Sequence, residues 1–310
     1  MTTFVSRSLA PALLPVLAGC LAAALLAASP IAPGQAATGD SPARSEIQAV
    51  TPDGTAAHAP SADSPQSLPS GDEIARRINA RDDGVSVARS MTMELLDKRG
   101  KKRTRETRSF RKYFEAEKRI AIFFEQPRNV RNTAFLTFDY VDDTEEDAQW
   151  LYLPALRRVR RISGSDRGDY FMGTDFTYDD IRQDTKVSQS DYKRTTLGIS
   201  EVDGRPCYLV EALPANESVA EELGYGRSLS CVDAEIWMVL RSEVWDLKGT
   251  PLKTIHTRDI RQIQGIWTAH QLEAENHKTG HKTTFIISEV DYRADLSDGL
   301  FSQSTLKRGL

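Results

Sequence analysis

WLYLPALRRVRRISGSDRGDYFMGTDFTYDDI, residues 150–181, reads as a strand, a proline turn, a second strand and then a glycine-bearing segment without a regular period. Trp150 and Tyr152 share one face of the first strand and Leu151 and Leu153 the other, so both faces are apolar. Pro154 ends that strand, because it has no N–H to give the ladder. After the turn Arg158 and Arg160 share one face and Val159 and Arg161 the other, which sets guanidinium groups beside the aromatics. Gly164, Gly168 and Gly173 then loosen the backbone, while Phe171, Met172, Phe176 and Tyr178 stand among Asp166, Asp169, Asp175, Asp179 and Asp180. Gly164 to Ile181 is thus expected to be a flap, either a lid or a partner-docking loop.

Outward from this stretch the period of two continues. Met91 to Leu95 alternates apolar and polar residues, as on a strand with one buried face. Ile120–Phe124, Ala134–Phe138, Ala234–Leu240, Ile266–Leu272 and Thr284–Val290 are bulky on both faces, and Ala134 is expected to point inward. Turn signals separate several of them, at Asp97–Gly100, Asp203-Gly204, Asp246–Gly249 and Lys278–Gly280. The connections are too short for crossover helices, which predicts a mainly β antiparallel meander. Strands apolar on both faces need cover on both, and a strongly curved sheet supplies it: an incomplete antiparallel β-barrel with short helices and the flap covering its concave face. One short helix opens the domain, with Asp72 as a possible cap and Ile74, Ala75 and Ile78 on one face.

Ahead of that domain, Arg7 and the apolar run from Leu9 to Ala28 form a secretory signal over residues 1–36, with cleavage expected near Ala37. A membrane anchor is the competing reading, although Pro11 and Pro15 interrupt the run. Leu17-Ala18-Gly19-Cys20 also fits a lipobox that would leave Cys20 lipidated. Residues 37–70, rich in Ala, Pro, Ser, Gly and Asp, lack the apolar surface to offset ordering and form a disordered linker. Residues 71–310 make one domain.

A net charge of −4 over 310 residues favours no partner. The basic run Lys98–Lys112 reads as a solvated hairpin tip and sheet face; export and the lack of a binding motif argue against nucleic acid. Cys207 and Cys231 remain after the leader, and their pairing is open: an oxidising compartment permits it, whereas consecutive strands Cys207–Leu213 and Cys231–Leu240 would hold them too far apart. The flap carboxylates lack the spacing of a calcium loop, and no metal or cofactor is expected. His58, His256, His270, His277 and His281 form no zinc or nucleophile motif. The expectation is therefore not an enzyme, with a lipid hydrolase built on the acidic cluster as the minor rival.

EIARRINARDDG from Glu73, MTMELLDKRGKKRTRE from Met91, NTAFL from Asn132, the 150–181 stretch, GRPCYLVEALP from Gly204 and the turn from Asp246 together resemble the outer-membrane lipoprotein-sorting protein family. Members of that family look like the periplasmic carrier LolA, with its incomplete barrel and helical lid. The resemblance implies a periplasmic protein that binds acyl chains of lipids or lipoproteins and works beside a resistance-nodulation-division-type exporter; a ligand-free adaptor of such an exporter is the alternative. Trp150, Tyr152, Phe171, Met172, Phe176 and Tyr178 are the expected apolar contacts, and Arg158 and Arg160 the headgroup contacts.

Overall fold

The computed structural model describes residues 67–141 and 145–310. The expected leader, the Cys20 lipobox and nearly all of the 37–70 linker lie outside the described residues. Thirteen strands run β1 (Ser86–Leu96), β2 (Lys102–Tyr113), β3 (Glu117–Gln126), β4 (Ala134–Tyr140), β5 (Ala148–Leu153), β6 (Arg158–Ile162), β7 (Tyr192–Val202), β8 (Arg205–Pro214), β9 (Arg227–Asp233), β10 (Val239–Trp245), β11 (Pro251–Ile263), β12 (Ile266–Asn276) and β13 (His281–Asp291). Among the described residues four α-helices are short: α1 (Gly71–Ala80), α2 (Tyr178–Gln183), α3 (Glu217–Leu223) and α4 (Gln303–Arg308). None of the helices among the described residues is long and apolar enough to cross a membrane.

All strands join one antiparallel sheet in the order β6-β5-β4-β3-β2-β1-β13-β12-β11-β10-β9-β8-β7. The chain builds outward from β1 to the β6 edge, starts again at the opposite edge with β7, and returns until β13 pairs with β1. Curvature follows from one observation. Ile120 on β3 and Ser242 on β10 line the same cavity although six strand spacings separate their strands, about 29 Å in a flat sheet. The sheet curls without closing, and β6 and β7 stay unpaired with each other.

Each face carries its own core. Met91, Met93, Ile120, Ile122, Phe124, Phe135, Phe285 and Ile287 point to the concave face. Phe110, Ala121, Phe123, Ala134 and Leu136 point to the convex face, where the C-terminal Leu296, Phe301 and Leu306 cover them. Ala134 therefore lies on the convex side, against the expectation: its neighbour Phe135 takes the inward position. Helix α1 packs Ile74 and Ile78 on Val210 and Val232. Its N-cap is Ser70, whose hydroxyl accepts the Glu73 N–H, rather than Asp72, which sits in the first turn.

Two further expectations change. Ala234–Leu240 is not one strand. Asp233 accepts the N–H groups of Glu235 and Ile236, Trp237 turns at φ 54, and β10 begins only at Val239. That break places Cys231 inside β9, facing Leu209 across the ladder and one inward-outward period from Cys207. Cys207 and Cys231 form a disulfide with Cα atoms 5.4 Å apart. In the basic run, Lys98–Arg103 is exposed as expected, but Arg111 is fully buried.

Candidate functional site

The residues between β6 and β7 have to travel from one edge of the sheet to the other, and the route taken is across the concave face. This turns the expected flap into packed structure. Phe171 is 0 % exposed and its ring centroid lies 5.1 Å from that of Phe135. Phe176 stacks on Phe285 at 4.4 Å, and Tyr178 meets Phe171 edge-on at 5.5 Å. Met172 is half-buried beside them. Thr177 caps α2 by accepting the Asp180 N–H while the Asp180 carboxylate accepts the Thr177 N–H.

Charged side chains fasten the crossing at both flanks. Lys253 on β11, 0 % exposed, donates to Asp180 Oδ2 at 2.6 Å and to the Asp175 carbonyl at 3.1 Å. Thr283 on β13 donates to Asp175 Oδ2 at 2.7 Å. Arg182 pairs with four carboxylates: Asp179 at 2.8 Å, Asp147 at 2.6 Å, Asp139, and Asp191 at 3.9 Å. Arg105 donates to the Met172 carbonyl at 2.7 Å. Such pairs compensate one another's desolvation and fix one arrangement of the segment.

The other expected site residues separate. Trp150 and Tyr152 lie on the convex face, half-buried, with Trp150 edge-on to Phe138 at 5.0 Å. Arg158 and Arg160 do not stand beside them. The register sets Trp150 opposite Arg161 and Tyr152 opposite Val159, while Arg160 faces Leu151 and Arg158 faces Leu153. The length of the turn after Leu153 decides this parity, and a one-residue difference would have reversed it. Both arginines are exposed at the concave-side edge, where Arg160 pairs with Asp166 at 3.3 Å.

Between the crossing segment and the sheet remains a cavity of about 210 Å³. Met91, Ile120, Ile122, Ile255, Leu272, Phe285 and Ile287 form its floor, and Phe176 and Ile181 its roof. Of the expected site residues only Phe176 lines it; the floor was missed as a site, although its period-two pattern was visible in β1, β3 and β13. Arg89, Asp184 and Lys186 stand at its polar end. A second cavity, about 760 Å³, lies on the other flank of α2 and is polar, with Lys118, Asp139, Asp147, Gln149, Arg167 and Arg182 in its wall. Among the described residues no group of three or more His, Cys, Asp or Glu is placed to hold a metal ion.

Ionisation at the polar end is strongly coupled to folding. Burial pushes the Asp184 carboxyl up, but Arg89 at 2.8 Å and Arg111 at 3.8 Å outweigh it and hold it down at about 2, from an ordinary 3.8. Asp83, buried against Arg111 and Lys186, is lowered in the same way. A folded value below the unfolded one means stability that is complete above about pH 4 and is lost as pH falls toward 2; for Asp184 this is about 2 kcal/mol. Urea midpoints measured from pH 5 to pH 2 should fall steeply for the wild type and less steeply for Asp184→Asn. Parallel losses in the two proteins would show that Asp184 does not carry the effect.

An outer membrane lipoprotein-sorting protein domain from Vibrio parahaemolyticus superimposes with a TM-score of 0.70 at 31% identity, covering 77% of this chain and 98% of that one. This chain belongs to the outer-membrane lipoprotein-sorting protein family. A DUF1329 family protein from Desulfovibrio piger matches equally well, with a TM-score of 0.70, 30% identity, and coverage of 76% of this chain and 97% of that one. A LolA superfamily protein from Nitrosomonas europaea, at 17% identity, a TM-score of 0.58, and coverage of 76% and 99%, shares the fold. A family model described as "Uncharacterized protein" matches residues 116–308. No curated protein matches. The open, mainly β fold is thus shared with these relatives.

Proposed function

We propose that this member of the family is a non-catalytic periplasmic carrier that holds an acyl chain of a lipid or lipoprotein on its concave face. The observation that carries the reading is the apolar cavity under Phe176 and Ile181, with the Arg89–Asp184 pair closing its polar end. Each buried methylene contributes about 0.8 kcal/mol, so partial burial of one chain gives useful affinity without covalent chemistry. At about 210 Å³ the cavity is smaller than the roughly 300 Å³ at which small-molecule pockets begin. A longer chain takes space from Phe176 and Ile181, with Phe171, Met172 and Tyr178 as the adjoining wall. Arg158 and Arg160 serve a headgroup at the rim, and Trp150 and Tyr152 support their strand from behind. The names of the relatives, lipoprotein-sorting domain and LolA superfamily, support the same class of cargo. Residues 1–36 are the export signal, 37–70 the linker and 71–310 the lipid-binding domain in this reading.

The test is direct. Delipidated protein should bind a fluorescent fatty acid saturably, and Ile255→Trp, which fills the cavity floor, should weaken that binding at least tenfold while leaving the circular dichroism unchanged. Absence of saturable binding in the wild type would sink the carrier reading. A second reading, an adaptor for a resistance-nodulation-division-type exporter with no ligand of its own, is favoured by the close packing of Phe171 and Phe176. Mass spectrometry of organic extracts of the purified protein separates the two: co-purified intact lipid supports the carrier, none supports the adaptor, and free fatty acid released from added phospholipid would point to a hydrolase instead.

A further inference from the structure

In an antiparallel meander every second turn falls at the same end of the sheet, so the β1–β2, β3–β4 and β5–β6 turns lie side by side at one end. Those three turns carry Lys98, Arg99, Lys101, Arg128, Arg131 and Arg157, all exposed and none in an ion pair among the described residues. The one acid among them, Asp97, is occupied with the N–H groups of Arg99 and Lys101. Leu96 and Leu156 are exposed beside them, at 40% and 63%. The opposite end has unpaired acids instead: the described residues of the β2–β3 and β4–β5 turns contribute Glu115 and Glu145 and no base, besides Glu146 and Asp147, which pair with Arg161 and Arg182.

We infer that the basic end docks on an anionic lipid surface, with the three hairpin tips against the headgroups and Leu156 dipping between them. Successive tips are two strand spacings apart, about 10 Å, with the β1–β2 tip standing about four residues beyond the end of β3, and three such tips define one plane. Unpaired cations near such a surface each contribute about fivefold to partitioning. A side chain as apolar as leucine at a basic tip gains from the acyl boundary what it loses in water. The acidic far end is repelled by the same surface, so the charge pattern fixes orientation as well as attraction. This inference does not depend on the acyl-chain cavity.

Flotation with vesicles of phosphatidylcholine alone and of phosphatidylcholine with 30% phosphatidylglycerol tests it, using the full mature chain. Binding is expected only to the phosphatidylglycerol vesicles, falling at least tenfold between 50 and 300 mM NaCl. Lys98→Ser, Arg99→Ser, Lys101→Ser, Arg128→Ser, Arg131→Ser and Arg157→Ser together should abolish it, and Leu156→Ser alone should weaken it severalfold; both variants should melt as the wild type does, because the tips are solvated. Glu115→Gln with Glu145→Gln and Glu146→Gln should bind at least as well as the wild type. No vesicle binding by the wild type, or undiminished binding by the sixfold variant, would overturn the inference. Loss of vesicle binding with retained salt-sensitive cross-linking of the same tips to an acidic protein would assign the surface to a protein partner instead.

Discussion

Phe171→Ala should destabilise the protein by about 3–5 kcal/mol and lower its melting temperature by many degrees. The ring is fully buried against Phe124, Phe135 and Tyr178, so truncation leaves a hole lined by three aromatic rings. A mobile lid would behave differently. Its phenylalanines would be dispensable for folding, and alanine would change ligand affinity alone. Thermal and urea unfolding of the variant decide this, and a melting temperature within a degree or two of the wild type would show that the crossing segment is not core. Phe176→Ala is expected to combine both effects, because Phe176 stacks on Phe285 and also roofs the cavity.

Removing the Arg182 guanidinium should cost as much. Arg182→Met leaves Asp179, 1 % exposed, with its main countercharge gone, and leaves Asp139 and Asp147 close to each other. Breaking one partner of a buried ion pair typically costs about 3–5 kcal/mol, most of it the desolvation of the charge left behind. Asp139 and Asp147 lose the Arg182 charge that favours their ionised forms, so the defect should shrink as pH is lowered from 7 to 5. Adding Asp179→Asn to Arg182→Met should recover part of the loss. If the double variant is less stable than the single one by the full cost of Asp179→Asn alone, the two residues act independently and the buried pair is not the source.

The strand pattern shows how much sequence can carry. Alternation in Met91–Leu95 and the two-faced runs at Ile120–Phe124 and Ala134–Phe138 are local properties, and they give an open antiparallel sheet with cover on both faces. Which face a residue takes is a different kind of fact. Ala134 and Phe135 are both apolar, and only the C-terminal Phe301 and Leu306, far away in the chain, decide that Ala134 is covered from the convex side. Register is similarly remote from composition: guanidinium groups are expected beside the aromatics, but the parity of the short turn cannot be read from its residues, and it sets Arg161 there and not Arg158 or Arg160. Glycines and acids made Gly164–Ile181 look mobile. Its Lys253, Thr283 and Arg105 partners come from strands elsewhere in the sequence, so its fixation was invisible there. The disulfide was hidden by a single turn at Asp233–Trp237, which puts Cys231 near the end of its strand and not at its start.

The pairing of β1 with β13 sets an order of assembly. Ser90 meets Ser288 and Leu95 meets Thr283, so the first strand finds one of its two neighbours only when the last strand has arrived. Hairpins β1 to β6 can form from local contacts, but until synthesis or translocation delivers β13 they present the bare edge of β1 and the greasy side that carries Met91 and Ile122. That half-sheet would expose a bare edge and an apolar face together, so a nascent chain halted before His281 should be retained by a holding chaperone.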